Sequence, residues 1–274
     1  MRTLRSRTRP MSADGLFQSL RVQAVTLENQ RTRTLRFDQS MTDAQPGQYV
    51  MAWLPGVGEK PFSIAGAEPF SLTVAAVGPF SQALYDLQPG ERLWVRGPLG
   101  QGFDLQGSRH LLVGGGYGAA PLLFLASRAA ERGDQVSVCL GARTAEEVIL
   151  ASAFSSLGCE LFVTTEDGSL GGNGLVTTAV AEAIQKAHPS CVYGCGPSGL
   201  LIALAKLCQQ SNLPAQLSWE AHMRCGLGLC GSCELEVEIS RAANLPLGCL
   251  VCKDGPVYRY SDDGRFTPIN FQGP

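Results

Sequence analysis

The chain has 274 residues, 45% of them apolar and 17% charged, with 22 basic against 24 acidic side chains. This length allows two domains plus an appendage, and the composition is that of a folded globular protein. A formal charge of −2 gives no basic face for nucleic acid, and no run of about 18 apolar residues is present to form a membrane-crossing helix.

The first ten residues carry four arginines but no apolar stretch follows them, so residues 1–15 are expected to be a disordered basic tail rather than a secretory signal. From residue 16 to about residue 106 the segments Leu20–Val25, Thr34–Phe37, Gln48–Leu54, Phe70–Val77 and Glu91–Val95 are short and separated by Gly, Pro and Asp. They predict antiparallel strands. Pro-Gly pairs at Pro46-Gly47, Pro55-Gly56 and Pro89-Gly90 favour tight reversals, which suits a barrel.

At His110 the pattern changes to continuous apolar runs alternating with helical stretches: LLVGG, QVSVCLG, ELFVTT and CVYGCG. This predicts a parallel sheet covered by helices over residues 107–213. The first helix should end at Gly133. A second is expected after Thr144, capped by Thr144 with Glu147 three residues on. Further helices are expected after Gly174 and after Pro197. Beyond Pro214 lies a cysteine-rich tail, residues 214–274, in which Cys233, Leu235, Val237 and Ile239 alternate with Glu234, Glu236 and Glu238 as in a half-buried strand.

Of the ten cysteines, five fall between positions 225 and 252. Uneven spacing without a secretory signal points to a reducing cytoplasm and to metal binding rather than disulfides. Cys225, Cys230 and Cys233 form C-x4-C-x2-C, the plant-type 2Fe-2S spacing, with Cys249 or Cys252, both in the strand-like Leu247–Tyr258 stretch, as a fourth ligand. Gly226, Gly228 and Gly231 suit a loop that brings backbone N–H groups close to sulfur. A zinc site is the competing assignment, although a ribbon normally uses two equal short pairs.

Gly114, Gly116 and Gly118 fall in a G-x-G-x-x-A segment that follows a buried strand and opens a helix, the context in which a pyrophosphate is bound. No acid ends the next strand, so NAD and NADP are both compatible with it. Cys195, Gly196 and Pro197 end another buried strand at the carboxyl edge of the sheet, where Cys195 would face a nicotinamide.

Together these residues resemble the ferredoxin-NADP reductase superfamily, and within it the electron transfer subunits of class 1B dihydroorotate dehydrogenases. The resemblance runs from about Leu16 to the end. It rests on PGQYV, KPFSI, GPLGQGF, LLVGGGYGAAPL, EDGSLGGNG, YGCGP, MRCGLGLCGSC and VCKDGPVY. It implies an FAD-binding β-barrel, an NAD-binding α/β domain and a small C-terminal 2Fe-2S subdomain, and it selects Cys252 over Cys249 as the fourth ligand. It also implies a flavin site at Lys60, Pro61, Phe62, Ser63 and Ile64, with lysine in place of the family arginine, and a phosphate loop at Gly78 and Ser81. NADH would reduce the flavin, which would pass electrons to the cluster and on to an FMN-containing dihydroorotate dehydrogenase catalytic subunit. The complex would be a heterotetramer of two of each in pyrimidine (UMP) biosynthesis. Diaphorase subunits of sulfhydrogenase, sulfite reductase or transhydrogenase complexes carry similar motifs. A zinc-bearing nucleotide sensor is the alternative of another class.

Overall fold

A computed structural model describes residues 16–260 and 264–269. The expected basic tail, residues 1–15, lies outside them. Strands β1 (Gln18–Asn29), β2 (Thr32–Phe37), β3 (Tyr49–Leu54), β4 (Gly58–Ala67), β5 (Phe70–Ala75) and β6 (Arg92–Leu99), with helix α1 (Pro79–Tyr85) before β6, make the first layer. The strands close into an antiparallel barrel in the order β1-β2-β5-β4-β3-β6. Each Pro-Gly reversal places its glycine at positive φ, at +88° for Gly47, +78° for Gly56 and +98° for Gly90. A side chain at the second central position of such turns would be strained. Two elements escape the pattern in the sequence. β4 runs unbroken through Pro61, which interrupts its strand pattern in the sequence, and α1 has only seven residues, too few to show helical periodicity.

The second layer contains β7 (Arg109–Gly115), α2 (Ala119–Glu131), β8 (Gln135–Ala142), α3 (Ala151–Ser156), β9 (Glu160–Thr165), β10 (Gly172–Asn173), α4 (Val176–Ala187), β11 (Cys191–Cys195), α5 (Ser198–Ser211) and β12 (Ala215–Ser218). The C-terminal segment adds α6 (Val237–Ala243), β13 (Val257–Tyr260) and β14 (Phe266–Pro268). The sheet runs β10-β9-β8-β7-β11-β12-β13-β14. It is parallel through β12, and β13 and β14 are antiparallel additions. The parallel sheet therefore extends past residue 213, and the last two strands of the tail pair directly onto it.

Three local expectations are corrected. Thr144 makes no side-chain cap, and the Glu147 carboxylate pairs with Arg143 instead; a 3-10 turn over Ala145–Glu147 forms here, and α3 begins only at Ala151. The alternation after Cys233 gives a helix from Val237, not a strand. Leu235 and Ala243 are buried and Ile239 packs on the same core, a spacing of four that a helix brings to one side, while Val237 stays 40% exposed. The strand-like Leu247–Tyr258 stretch is turns until Val257, where β13 begins.

The layers interlock. Phe124 of α2 lies in the barrel's core, and Ala65 of β4 lies in the core under α2. Strand β3 serves two cores by simple alternation: Val50, Ala52 and Leu54 face the barrel interior, whereas Tyr49 and Met51 join the core that holds Cys233 and Cys252. Among the described residues no helix is long and apolar enough to cross a membrane.

Met51 is fully buried in this seam. Met51→Ala is expected to destabilise the protein by about 2–5 kcal/mol, the usual cost of truncating a large core side chain. Chemical denaturation should show the shifted midpoint.

Candidate functional site

A cleft of about 530 Å³ lies where the barrel, the parallel sheet and the tail meet. That volume is in the normal range for a cofactor site. The barrel contributes Lys60, Pro61, Phe62 and Ser63 from β4, with Gly78 and Ser81 at the start of α1. Tyr117, Gly118 and Cys195 come from the sheet's carboxyl edge, and Ser218, Trp219, Glu220 and His222 from the segment after β12. Of the residues expected at a flavin, Ile64 is elsewhere. It is fully buried in the barrel core, and its amide donates to the Gln48 carbonyl at 3.0 Å. Ser81 lines the cleft but also shapes its own loop, its Oγ accepting the Val77 and Gly78 amides at 3.0 Å each.

The two nucleotide loops form one surface at the ends of adjacent parallel strands β7 and β11, where Cys195 pairs in register with Gly114 on one side and Ser218 on the other. Their glycines do different work. A Cβ on Gly118 would fall 2.4 Å from the Cys195 carbonyl oxygen, so this glycine allows the loops to touch. Gly116, at φ +55° with no neighbour within 4 Å, is open to an approaching ligand. Gly196 and Pro197 pack against Gly115 behind the cleft.

Burial pushes the Cys195 thiol up to about 12, with the nearby Glu220 carboxylate adding to the effect and a Ser218 hydrogen bond opposing it. Cys195 is therefore a neutral thiol at physiological pH, not a nucleophile. Glu220 keeps some surface open to the cleft, yet the surrounding protein raises its carboxyl above the usual range by desolvation. The Trp219 indole N–H is buried without a protein partner.

The cysteine loop lies against the same region. Cys225 lies beside Cys230, and Cys233 beside Cys252. Backbone amides reach the sulfurs: Leu227 N–H donates to Cys225 Sγ at 3.4 Å, Gly228 N–H to Cys252 Sγ at 3.1 Å, and Cys252 N–H to Cys233 Sγ at 3.4 Å. Hydrogen bonds from the Ser232 hydroxyl and amide and from the Cys225 amide bring the Cys230 thiol down to about 6. Gly226, Gly228 and Gly231 all adopt positive φ, between +66° and +76°. Among the described residues no three or more His, Cys, Asp or Glu side chains are grouped around a point to hold a metal ion. Two thiol pairs with amides aimed at sulfur suit two metal atoms with two thiolates each. Cys249 stands apart. It is buried near Tyr258, and desolvation raises its thiol.

Several residues of this region were not marked by motif. Glu220 and Trp219 follow β12, whose four residues are too few to announce a strand, so the strand end that presents them is hidden in the sequence. Tyr49 lies within PGQYV, but nothing in that stretch reveals that its ring lines the cleft.

The segment from residue 220 to 262 matches the family model for the iron-sulfur cluster binding domain of dihydroorotate dehydrogenase B. A probable dihydroorotate dehydrogenase B (NAD(+)) electron transfer subunit of Methanopyrus kandleri is 40% identical over 216 residues, covering 78% of this chain and 79% of the relative. The similarly described protein of Methanocaldococcus jannaschii is 35% identical over 238 residues, covering 87% and 88%. Among solved structures, the NADH-dependent reduced ferredoxin-NADP oxidoreductase superposes with a TM-score of 0.75 at 26% identity, over 88% of this chain and 87% of that one. The FAD/NAD-binding domain of the Vibrio cholerae nitric oxide dioxygenase shares the fold alone, at a TM-score of 0.62 and 19% identity over 72% and 94%. The chain belongs to the family of dihydroorotate dehydrogenase B electron transfer subunits.

Proposed function

We propose that this chain is the electron transfer subunit of a dihydroorotate dehydrogenase B. It would carry electrons between NAD(H), FAD and a 2Fe-2S cluster and exchange them with a catalytic subunit that oxidises dihydroorotate. The observation that carries this reading is convergence: the barrel segment Lys60–Ser63 and the Cys195 strand edge line one cleft, and Tyr49 of the same cleft wall donates to the Cys252 carbonyl of the cysteine segment. A catalytic partner containing FMN, a heterotetramer of two subunits of each kind, and a cytoplasmic location in pyrimidine synthesis complete the proposal.

A bound flavin supplies the chemistry that the protein lacks, accepting two electrons with a hydride and releasing them singly. The chain's own residues provide binding and exclusion of water. Lys60 offers a positive charge for a phosphate, though without the bidentate fork of arginine. Phe62 and Trp219 give flat apolar walls, and Ser63 offers a polar contact. Gly114, Gly116 and Gly118 at the start of α2 present backbone amides to a nucleotide pyrophosphate. Gly78 and Ser81 line the barrel side, while Gly196 and Pro197 hold the turn that sets Cys195, a neutral thiol, at the nicotinamide edge. Cys225, Cys230, Cys233 and Cys252 are the proposed cluster ligands.

An anaerobic visible spectrum of the purified chain is expected to show flavin and iron-sulfur bands that both bleach on adding NADH. Folded protein with neither band and with bound zinc would overturn the reading in favour of a sensor. Serine in place of Cys225, Cys230, Cys233 or Cys252 is expected to lose iron while NADH still bleaches the flavin. Cys249→Ser should keep its iron, and iron analysis of the five variants decides the ligand set.

A further inference from the structure

Both ends of the cysteine segment are held by the barrel. Tyr49 of β3 is 2% exposed, and its single O–H proton is shared between the Cys252 carbonyl oxygen at 3.0 Å and that of Gly226 at 3.3 Å. The same side chain lines the cleft. Arg96 of β6 is 8% exposed. Its Nη2 donates to the Cys225 carbonyl oxygen at 2.6 Å, while its Nε donates to Glu59 Oε1 at 2.7 Å. The approach between them is close: a Cβ on Gly226 would lie 3.0 Å from Met51 Cγ and 3.5 Å from Arg96 Nη2. The first and last of the proposed ligand residues therefore hang by their carbonyls from two side chains of adjacent barrel strands. One of these side chains also forms the cleft wall.

Resting on the function proposed above, we propose that Tyr49 and Arg96 are positioning residues for electron transfer. They fix the cysteine loop against the wall of the cleft and so set both the separation and the potential between flavin and cluster. Hydrogen bonds to carbonyls leave the sulfurs free for metal while removing the loop's freedom to shift. The buried guanidinium adds a positive charge close to the cluster. Such a charge favours the more negative, reduced cluster and raises its potential, with Glu59 offsetting part of the effect. The transfer moves one electron from flavin to cluster with NADH as the reductant, and no covalent bond is made or broken in it. Nothing on the parallel sheet could replace this clamp, because both contacts come from β3 and β6.

The test uses the full chain with Tyr49→Phe, Arg96→Gln and Arg96→Lys. Each variant is assayed for iron and flavin and mixed anaerobically with NADH, flavin reduction being followed optically and cluster reduction by freeze-quench electron paramagnetic resonance. Iron content is expected to be retained. The ratio of cluster reduction rate to flavin reduction rate should fall several-fold in Tyr49→Phe and in Arg96→Gln. The cluster potential should drop in Arg96→Gln and recover in Arg96→Lys, which keeps the charge. Parental ratios and potentials in Tyr49→Phe and Arg96→Gln would overturn the proposal. Loss of iron from both, in folded protein, would also overturn it, because the two residues would then be needed for assembly rather than positioning. A parental chain that binds flavin but never shows a cluster signal would instead overturn the function on which the proposal rests.

Discussion

Strand β3 is buried on both faces, and the arrangement of the site depends on that burial. In an isolated barrel the outward face of such a strand would meet water. Here Tyr49 and Met51 enter the core formed by the parallel sheet and the tail, while Val50, Ala52 and Leu54 fill the barrel. Two-sided burial leaves the strand no alternative register, since a slip of one residue would exchange the two faces and place the Tyr49 hydroxyl in an apolar interior. The cysteine loop consequently has a fixed seat on the barrel rather than a tether to it.

The nucleotide side of the cleft is built by a different constraint, the close approach of two loops at the ends of parallel strands. Gly118 lies against the Cys195 carbonyl, and Gly115 against Gly196 and Pro197. Loops that touch so closely cannot carry side chains at the contact. Part of what reads as a phosphate-binding glycine pattern is therefore used to join β7 to β11. Gly116 is the position whose backbone conformation and open surroundings favour a ligand. The thiol of Cys195 is neutral through burial.

The tail completes the cleft from the third side. β13 extends the sheet beyond β12, and the backbone N–H of Trp219 donates to the Pro256 carbonyl at 2.8 Å, tying the segment after β12 to the turn that follows Cys252. Movement of the cluster loop would be felt by Trp219 and Glu220 in the cleft, because the two share this backbone connection. Barrel, sheet and tail thus form a single site with short connections between its parts.

By itself the sequence determined whatever depends on local periodicity and on spacing along the chain. The barrel strands other than β4 with their Pro-Gly turns, the buried strands β7, β8, β9 and β11, and the helices after the glycine loop, after Gly174 and after Pro197 were all legible. So was the C-x4-C-x2-C cluster with its glycines. Short elements were not legible: β12 with four residues, α1 with seven, and α6, whose alternating acids imitate a strand until the spacing of Leu235, Ile239 and Ala243 on one core is seen. Only the tertiary structure decided that Tyr49 and Arg96 reach the carbonyls of residues more than a hundred positions away, that Ile64 turns from the cleft into the barrel, and that Cys249 faces Tyr258 rather than Cys233. The physical reason is that a side chain's partner across a closed barrel or a mixed sheet is set by register and layer packing, which leave no pattern in the neighbouring residues of the chain.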